Sequence, residues 1–403
     1  MTPTASVRLG DIADYIRGIA FKPTDVVPAH SPGFVVCMTT KNVQETLDET
    51  KLTAVSPRFV KRQEQYLQPG DLLVSSANSW NLVGKVTFVS ALPYTATAGG
   101  FISILRTRPD RADPRYVYRW LASGQTQHHA RACSRQTTNI ANLDRTRFLN
   151  LRIPLPPLPE QRRIAAILDK ADAVRRKRQQ TLDLADQFLR SAFLDMFGDP
   201  VTNPKRWPVK KLGTCADIQG GLQVTTKRAG NPIEVPYLRV ANVYRDSLDL
   251  AEIKTIRVTP EELERAALAK GDVLVVEGHG NREEIGRSAV WDGSIRQCTH
   301  QNHLIRVRAC AGVLEPEYLS FYLNSAAGRR QMLRSGKTTS GLNTISTRNV
   351  KDTAILLPPL DEQVRFVVTR YLVRTMRAQL VTGLSVMAEL HGSAAQRAFL
   401  REP

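Results

Sequence analysis

The chain repeats itself, and that repetition constrains its fold more than any single motif. Leu9-Gly10-Asp11-Ile12-Ala13-Asp14 returns as Leu212-Gly213-Thr214-Cys215-Ala216-Asp217, and Pro69-Gly70-Asp71-Leu72-Leu73-Val74 returns as Lys270-Gly271-Asp272-Val273-Leu274-Val275. Pro114-Arg115-Tyr116-Val117 matches Pro316-Glu317-Tyr318-Leu319, and Pro156-Pro157-Leu158-Pro159-Glu160-Gln161 matches Pro358-Pro359-Leu360-Asp361-Glu362-Gln363. Glu160 and Glu362 are 202 positions apart, about half of the 403 residues. Gly-Asp turns and Pro-Pro pairs are common one at a time. Four matches in one order at one spacing mark a duplication, so both halves must adopt one architecture.

Each half reads as a mixed unit of short strands and helices followed by one long helix. Asp71-Leu72-Leu73-Val74 and Leu304-Ile305-Arg306-Val307-Arg308 have strand character, whereas Tyr116–Leu121 and Tyr318–Leu323 open short amphipathic helices. Pro159 suits a first helical position, and Glu160 places negative charge in the first turn. Ile164, Leu168, Ala171, Val174, Leu182, Ala185, Leu189, Ala192 and Met196 then recur at three- and four-residue steps, until Phe197-Gly198-Asp199-Pro200 ends the pattern. A second helix runs from about Asp361 to Leu400 on Val367, Val373, Leu380, Leu384, Met387 and Leu390, with Gly383 and Gly392 permitting close approach or marking a break. Stripes this narrow need a partner helix, and each half supplies one for the other. The expected fold is α+β: two mixed α/β globular domains in pseudo-repeat, 1–157 and 200–359. Two long antiparallel helices, 158–199 and 360–403, separate them as a coiled-coil-like spacer.

Charge narrows the partner class. The 56 Lys and Arg against 38 Asp and Glu give +18, an excess that suits a polyanion such as nucleic acid. It resides in the two globular halves, +8 over residues 1–159 and +7 over 200–360, while the helical segments are nearly neutral. No apolar run reaches the roughly 18 residues of a membrane span, and the first residues lack a secretory pattern. The five scattered cysteines fit reduced thiols. A cytoplasmic protein without membrane partners is expected.

Motifs for chemistry fail on inspection. Ser335-Gly336-Lys337-Thr338 resembles the end of a phosphate loop, but Gln331 stands where the first glycine belongs. Gly278-His279-Gly280-Asn281-Arg282-Glu283 has Glu283 in place of the third glycine of a dinucleotide fingerprint. Cys298, His300, His303 and Cys310 lack the regular spacing of a zinc site, and their segment reads as a strand entry. No catalytic residue, cofactor site or metal site is expected.

Together these features resemble the specificity (S) subunit of type I restriction-modification systems over nearly the whole chain. The carriers are the Pro-Pro-Leu strings at 154–161 and 356–363, each opening a long helix, Phe197-Gly198-Asp199-Pro200, and Val235–Val243. The first half carries a looser form of that last segment, Phe34–Val43. The resemblance implies a sequence-specific DNA-binding subunit with two target-recognition domains, each reading one half of a bipartite asymmetric site. Its implied partners are double-stranded DNA, two modification subunits that methylate adenine with S-adenosylmethionine, and restriction subunits supplying a motor and nuclease.

Two pairs of loops carry the candidate DNA contacts. Ser76, Asn78, Trp80 and Asn81 follow a strand in the first half, and His279, Asn281 and Arg282 follow its counterpart in the second. These side chains can read base edges or stack. Arg135, Thr137 and Asn139 match Lys337, Thr338 and Thr339, whose bases and small hydroxyls suit phosphate oxygens. Lys85, Arg239 and Arg287 are further basic candidates. Two other classes stay open from the residues alone: a nuclease, which would need a cluster of acidic residues, and an architectural or RNA-binding spacer, for which two dissimilar loops would serve no purpose.

Overall fold

The computed structural model describes residues 5–137, 139–335, 337–339 and 342–399, with side chains between 384 and 398 outside that description. Contacts divide the chain into two compact units, Met1–Gln180 with Val381–Pro403, and Thr181–Leu380, so the division falls inside both long helices.

In the first unit a four-stranded antiparallel sheet runs Ala13–Arg17, Ile102–Thr107, Leu72–Ser75, Val86–Phe88. Pro114–Ala122 packs on one face, burying Tyr116, Val117, Trp120 and Leu121. A second sheet, Val27–Pro28, Thr53–Val55, Val35–Met38, Ala96–Ala98, has its own core around Val36, Met38 and Ala98. Strand Ser6–Arg8 pairs with Arg152–Pro154 and closes the domain just before the long helix begins.

The second unit repeats this plan. Its four-stranded sheet runs Ala216–Gly220, Leu304–Ala309, Val273–Val276, Ser288–Val290, and Pro316–Asn324 takes the place of Pro114–Ala122. The duplication extends to individual hydrogen bonds. Asn42, fully buried, accepts from Thr39 N at 2.7 Å and donates to Asp48 O at 2.7 Å. Asn242 accepts from Arg239 N at 2.8 Å and donates to Asp249 O at 2.8 Å. The looser segment of the first half therefore builds the same turn. Asp71 receives both arms of Arg106 at 2.7 Å, and Asp272 both arms of Arg308 at 2.7 Å. These carboxylates are almost fully buried, so each needs its guanidinium: an unpaired buried charge costs about 3–5 kcal/mol.

The repeated Glu-Gln string has the same physical meaning in both halves. Gln161 is buried, accepts from Asp113 N at 2.9 Å and donates to Pro156 O at 2.7 Å. Gln363 accepts from Glu315 N at 2.9 Å and donates to Pro358 O at 2.8 Å. One side chain thus ties the start of the long helix to the start of the short one.

The long helices are Leu158–Phe197 and Leu360–Phe399, 40 residues each. In the second unit they run antiparallel, because Asp186 pairs with Arg377, Ala185 and Leu189 pack on Val373, and Phe193 meets Phe366 at 5.4 Å. In the first unit Gly383 lies against Arg178, where a Cβ would stand 2.5 Å from Nη1. Gly383 therefore permits a close approach, and the helix continues through Gly392 without a break. Two readings of the stripes are corrected. Val174 faces outward, and the buried line instead includes Gln161, Ala165, Leu168, Asp172, Leu182, Ala185, Leu189, Phe193 and Phe197. Asp172 is tolerated there because Arg119, Arg175 and Arg176 all reach it. In the second helix Gln363, Phe366, Arg370 and Val373 are buried while Val367 is only half-buried; the side chains of Leu384, Met387 and Leu390 lie outside the described residues.

Candidate functional site

Within each unit the structure joins the two singled-out loops into one small antiparallel sheet. In the first, Ala77–Asn78 pairs with Ala141–Leu143, which pairs with Ser134–Gln136. Asn78 lies opposite Ala141, and Arg135 opposite Asn142. Thr137 closes the hairpin, its N–H and Oγ1 both donating to Ile140 O at 2.8 Å. Asn78 holds its own turn, accepting from Ser79 N at 2.8 Å and donating to Ser75 Oγ at 3.1 Å. Half-buried Ser76 uses its carbonyl to accept from Leu143 N. That leaves Trp80, Asn81, Arg135 and Asn139 exposed, Arg135 by 80% although it lies 3.2 Å from Asp144. Thr138 lies outside the described residues.

In the second unit Gly278–His279 pairs with Leu342–Thr344, which pairs with Lys337–Thr339. The backbone of Lys337, Thr338 and Thr339 is thus placed in a strand, but their side chains, like all of Ser340, lie outside the described residues. Asn281 caps a short 3-10 turn by accepting from Glu283 N at 3.0 Å, and its own N–H donates to His279 Nδ1 at 3.0 Å. Arg282 is exposed and donates to Leu333 O at 3.1 Å. Burial pushes the Glu277 carboxyl, at the root of this loop, up to about 7.

Three basic candidates are engaged elsewhere. Arg287 is buried, donating to Glu284 at 2.9 Å and Val240 O at 2.9 Å beneath the ring of Tyr244. A desolvated guanidinium needs partners inside the protein, and Arg287, expected as a DNA contact, is placed in the interior with these bonds rather than on the surface. Arg239 is largely covered and pairs with Glu252 at 3.2 Å. Lys85 donates to Gln44 Oε1 at 2.5 Å. Cys298 and His300 are buried at a strand entry, and among the described residues no group of three His, Cys, Asp or Glu stands ready for a metal.

One exposed group escaped the sequence reading. Phe101 is 64% exposed, and its carbonyl accepts from Ser76 N and Ala77 N at 2.9 and 3.2 Å, so it borders the first small sheet. The equivalent carbonyl in the second unit is that of His303, which accepts from Glu277 N at 2.9 Å. The available sequence signal was Gly99-Gly100 before Phe101, which marks a turn.

The family model for the type I restriction modification DNA specificity domain matches residues 2–183 and 204–368. The chain belongs to that family. As a type I restriction-modification specificity protein it serves DNA sequence recognition, and no described helix is long and apolar enough to cross a membrane. It is 26% identical over 383 residues to the type I restriction enzyme EcoKI specificity subunit of Escherichia coli K12, covering 88% of this chain and 79% of that one. To the StySPI specificity subunit of Salmonella potsdam it is 24% identical over 375 residues, 90% of this chain and 80% of the other. The S subunit structure from M. genitalium superposes with a TM-score of 0.60 at 13% identity, covering 99% of both chains. A chain solved in work on assembly and conformational transition of the type I R-M system gives 0.54 at 18% identity, covering 99% of this chain and 98% of that one. The family fold of two mixed domains with long helices is therefore that of this protein.

Proposed function

We propose that this chain is the non-catalytic DNA-recognition subunit of a type I restriction-modification complex, acting in the cytoplasm on a bipartite asymmetric target. The observation that carries this reading is the pair of equivalent three-stranded sheets bearing different side chains. One offers Trp80, Asn81, Arg135 and Asn139; the other offers His279, Asn281 and Arg282. Identical scaffolds with different contact groups read different base sequences. Methyl transfer then belongs to the modification subunits, two per complex, which bind S-adenosylmethionine, and translocation and cleavage belong to restriction subunits. Docking of such partners is supported by apolar groups left uncovered on the long helices of the second unit: Leu184, Phe188, Val368 and Leu372 are each more than half exposed.

The test is co-expression with a modification subunit, followed by mapping of methyladenine across the host genome. A two-part motif is expected. Replacing residues 200–359 with those of another family member should change one part only. Methylation by the isolated chain, or a change in both parts, overturns the reading.

A further inference from the structure

We propose that Phe101 is an aromatic wedge that enters a base step in one half-site of the target, giving the first recognition domain a contact that the second lacks. The inference rests on the DNA-recognition reading above. Exposing most of a phenylalanine brings no folding benefit, because burying such a side chain is worth about 1.5–3 kcal/mol. Here the backbone that carries the exposed ring is also held at several points. Gly99 N donates to Met38 O at 2.8 Å, and Ile102 N donates to Gly99 O at 2.8 Å. Gly18 packs so tightly on this turn that a Cβ would lie 2.2 Å from Gly99 O. With the Phe101 carbonyl engaged by Ser76 and Ala77, little backbone freedom remains to be lost on binding.

The surroundings choose the occupant. Tyr15 is buried beside Ser76 and Ser103, and the positive charges of Arg17 and Arg145 act on its hydroxyl; Arg145 lies 5.8 Å from its ring. Arg17 is paired in register with Ser103, two residues from Phe101. An exposed aromatic on a fixed turn, with Arg17 and Arg145 grouped about Tyr15 on the adjoining strand, fits a polyanion with stacked rings, where apolar side chains wedge between base steps while arginines hold the phosphates. In the second unit His303 replaces Phe101, Gly220 replaces Arg17 and Thr347 replaces Arg145, so the apolar ring and these two arginines are not repeated there.

The test uses the full chain with its modification subunits and a library of randomised duplex DNA, comparing wild type, Phe101→Ala and Phe101→Trp. The wild type should enrich a two-part motif; 2-aminopurine placed along that motif should brighten at one step of one half-site. Phe101→Ala should abolish that signal, weaken binding roughly tenfold or more, and relax preference at that step alone. Phe101→Trp should retain the signal. A motif unchanged by Phe101→Ala, or fluorescence that survives it, overturns the wedge and leaves the recognition reading standing. If the wild type enriches no motif, the recognition reading fails and takes the wedge with it.

Discussion

Gln161 Oε1 accepts the backbone N–H of Asp113 at 2.9 Å, joining the first turn of a 40-residue helix to the cap of the short helix beside it. Gln363 and Glu315 repeat the bond. Replacing Gln161 or Gln363 with Ala strands a buried N–H and two carbonyls, so each variant should lose about 1–3 kcal/mol in urea unfolding. Equal stability of wild type and variant would show that water replaces the glutamine.

Phe193 sits among Phe197, Tyr318, Phe321, Tyr322 and Phe366, with ring centroids 5.1–6.5 Å away. Phe193→Ala should destabilise the second unit by about 3–5 kcal/mol, while Phe188→Ala, on the exposed side of the same helix, should change stability by less than about 1 kcal/mol. Calorimetry on both variants checks the contrast.

Arg282 and Arg287 lie five residues apart and should behave oppositely. Arg282→Ala should leave unfolding nearly unchanged and relax one half-site by about 1–3 kcal/mol if the guanidinium reads a base. Uniform weakening on all DNA, with a shallower salt dependence, would make it a phosphate contact. Arg287→Ala should instead lower stability by a few kcal/mol, as Glu284 loses its buried partner.

Burial and the charge of Arg306 push His300 down to about 4. The unfolded residue, near 6.5, binds a proton more readily, so stability is complete above about pH 6.5 and is lost as pH falls toward 4. His300→Gln should flatten this part of the profile, narrowing its gap to wild type by on the order of 3 kcal/mol between pH 7 and 4. Parallel profiles would assign the acid sensitivity to other groups.

If the long helices set the spacing of the two half-sites, inserting four residues after Lys177 and four after Gln379 adds about 6 Å to each while nearly preserving its apolar face. The preferred spacer should then lengthen by about one or two base pairs. Methylation assays on targets differing only in spacer length decide the point.

The sequence by itself determined the duplication, the two long helices and the two loop pairs. These depend on local physics: proline and glycine set helix ends, apolar spacing selects a face, and repeated strings force repeated turns. Thus Asn42 and Asn242 make the same bonds although their flanking residues differ. Tertiary structure decided which members of those patterns face inward. Val174 fits the stripe by spacing but faces outward, while Asp172 is buried because three arginines from two elements converge on it. Arg282 and Arg287 look alike as basic candidates, yet only packing against Val240 and Tyr244 withdraws Arg287. Phe101 went unnoticed because an isolated phenylalanine ordinarily implies a core position. Its exposure is imposed by Gly18 and Met38, more than 60 residues away in sequence, which hold the turn so that the ring has no interior to enter.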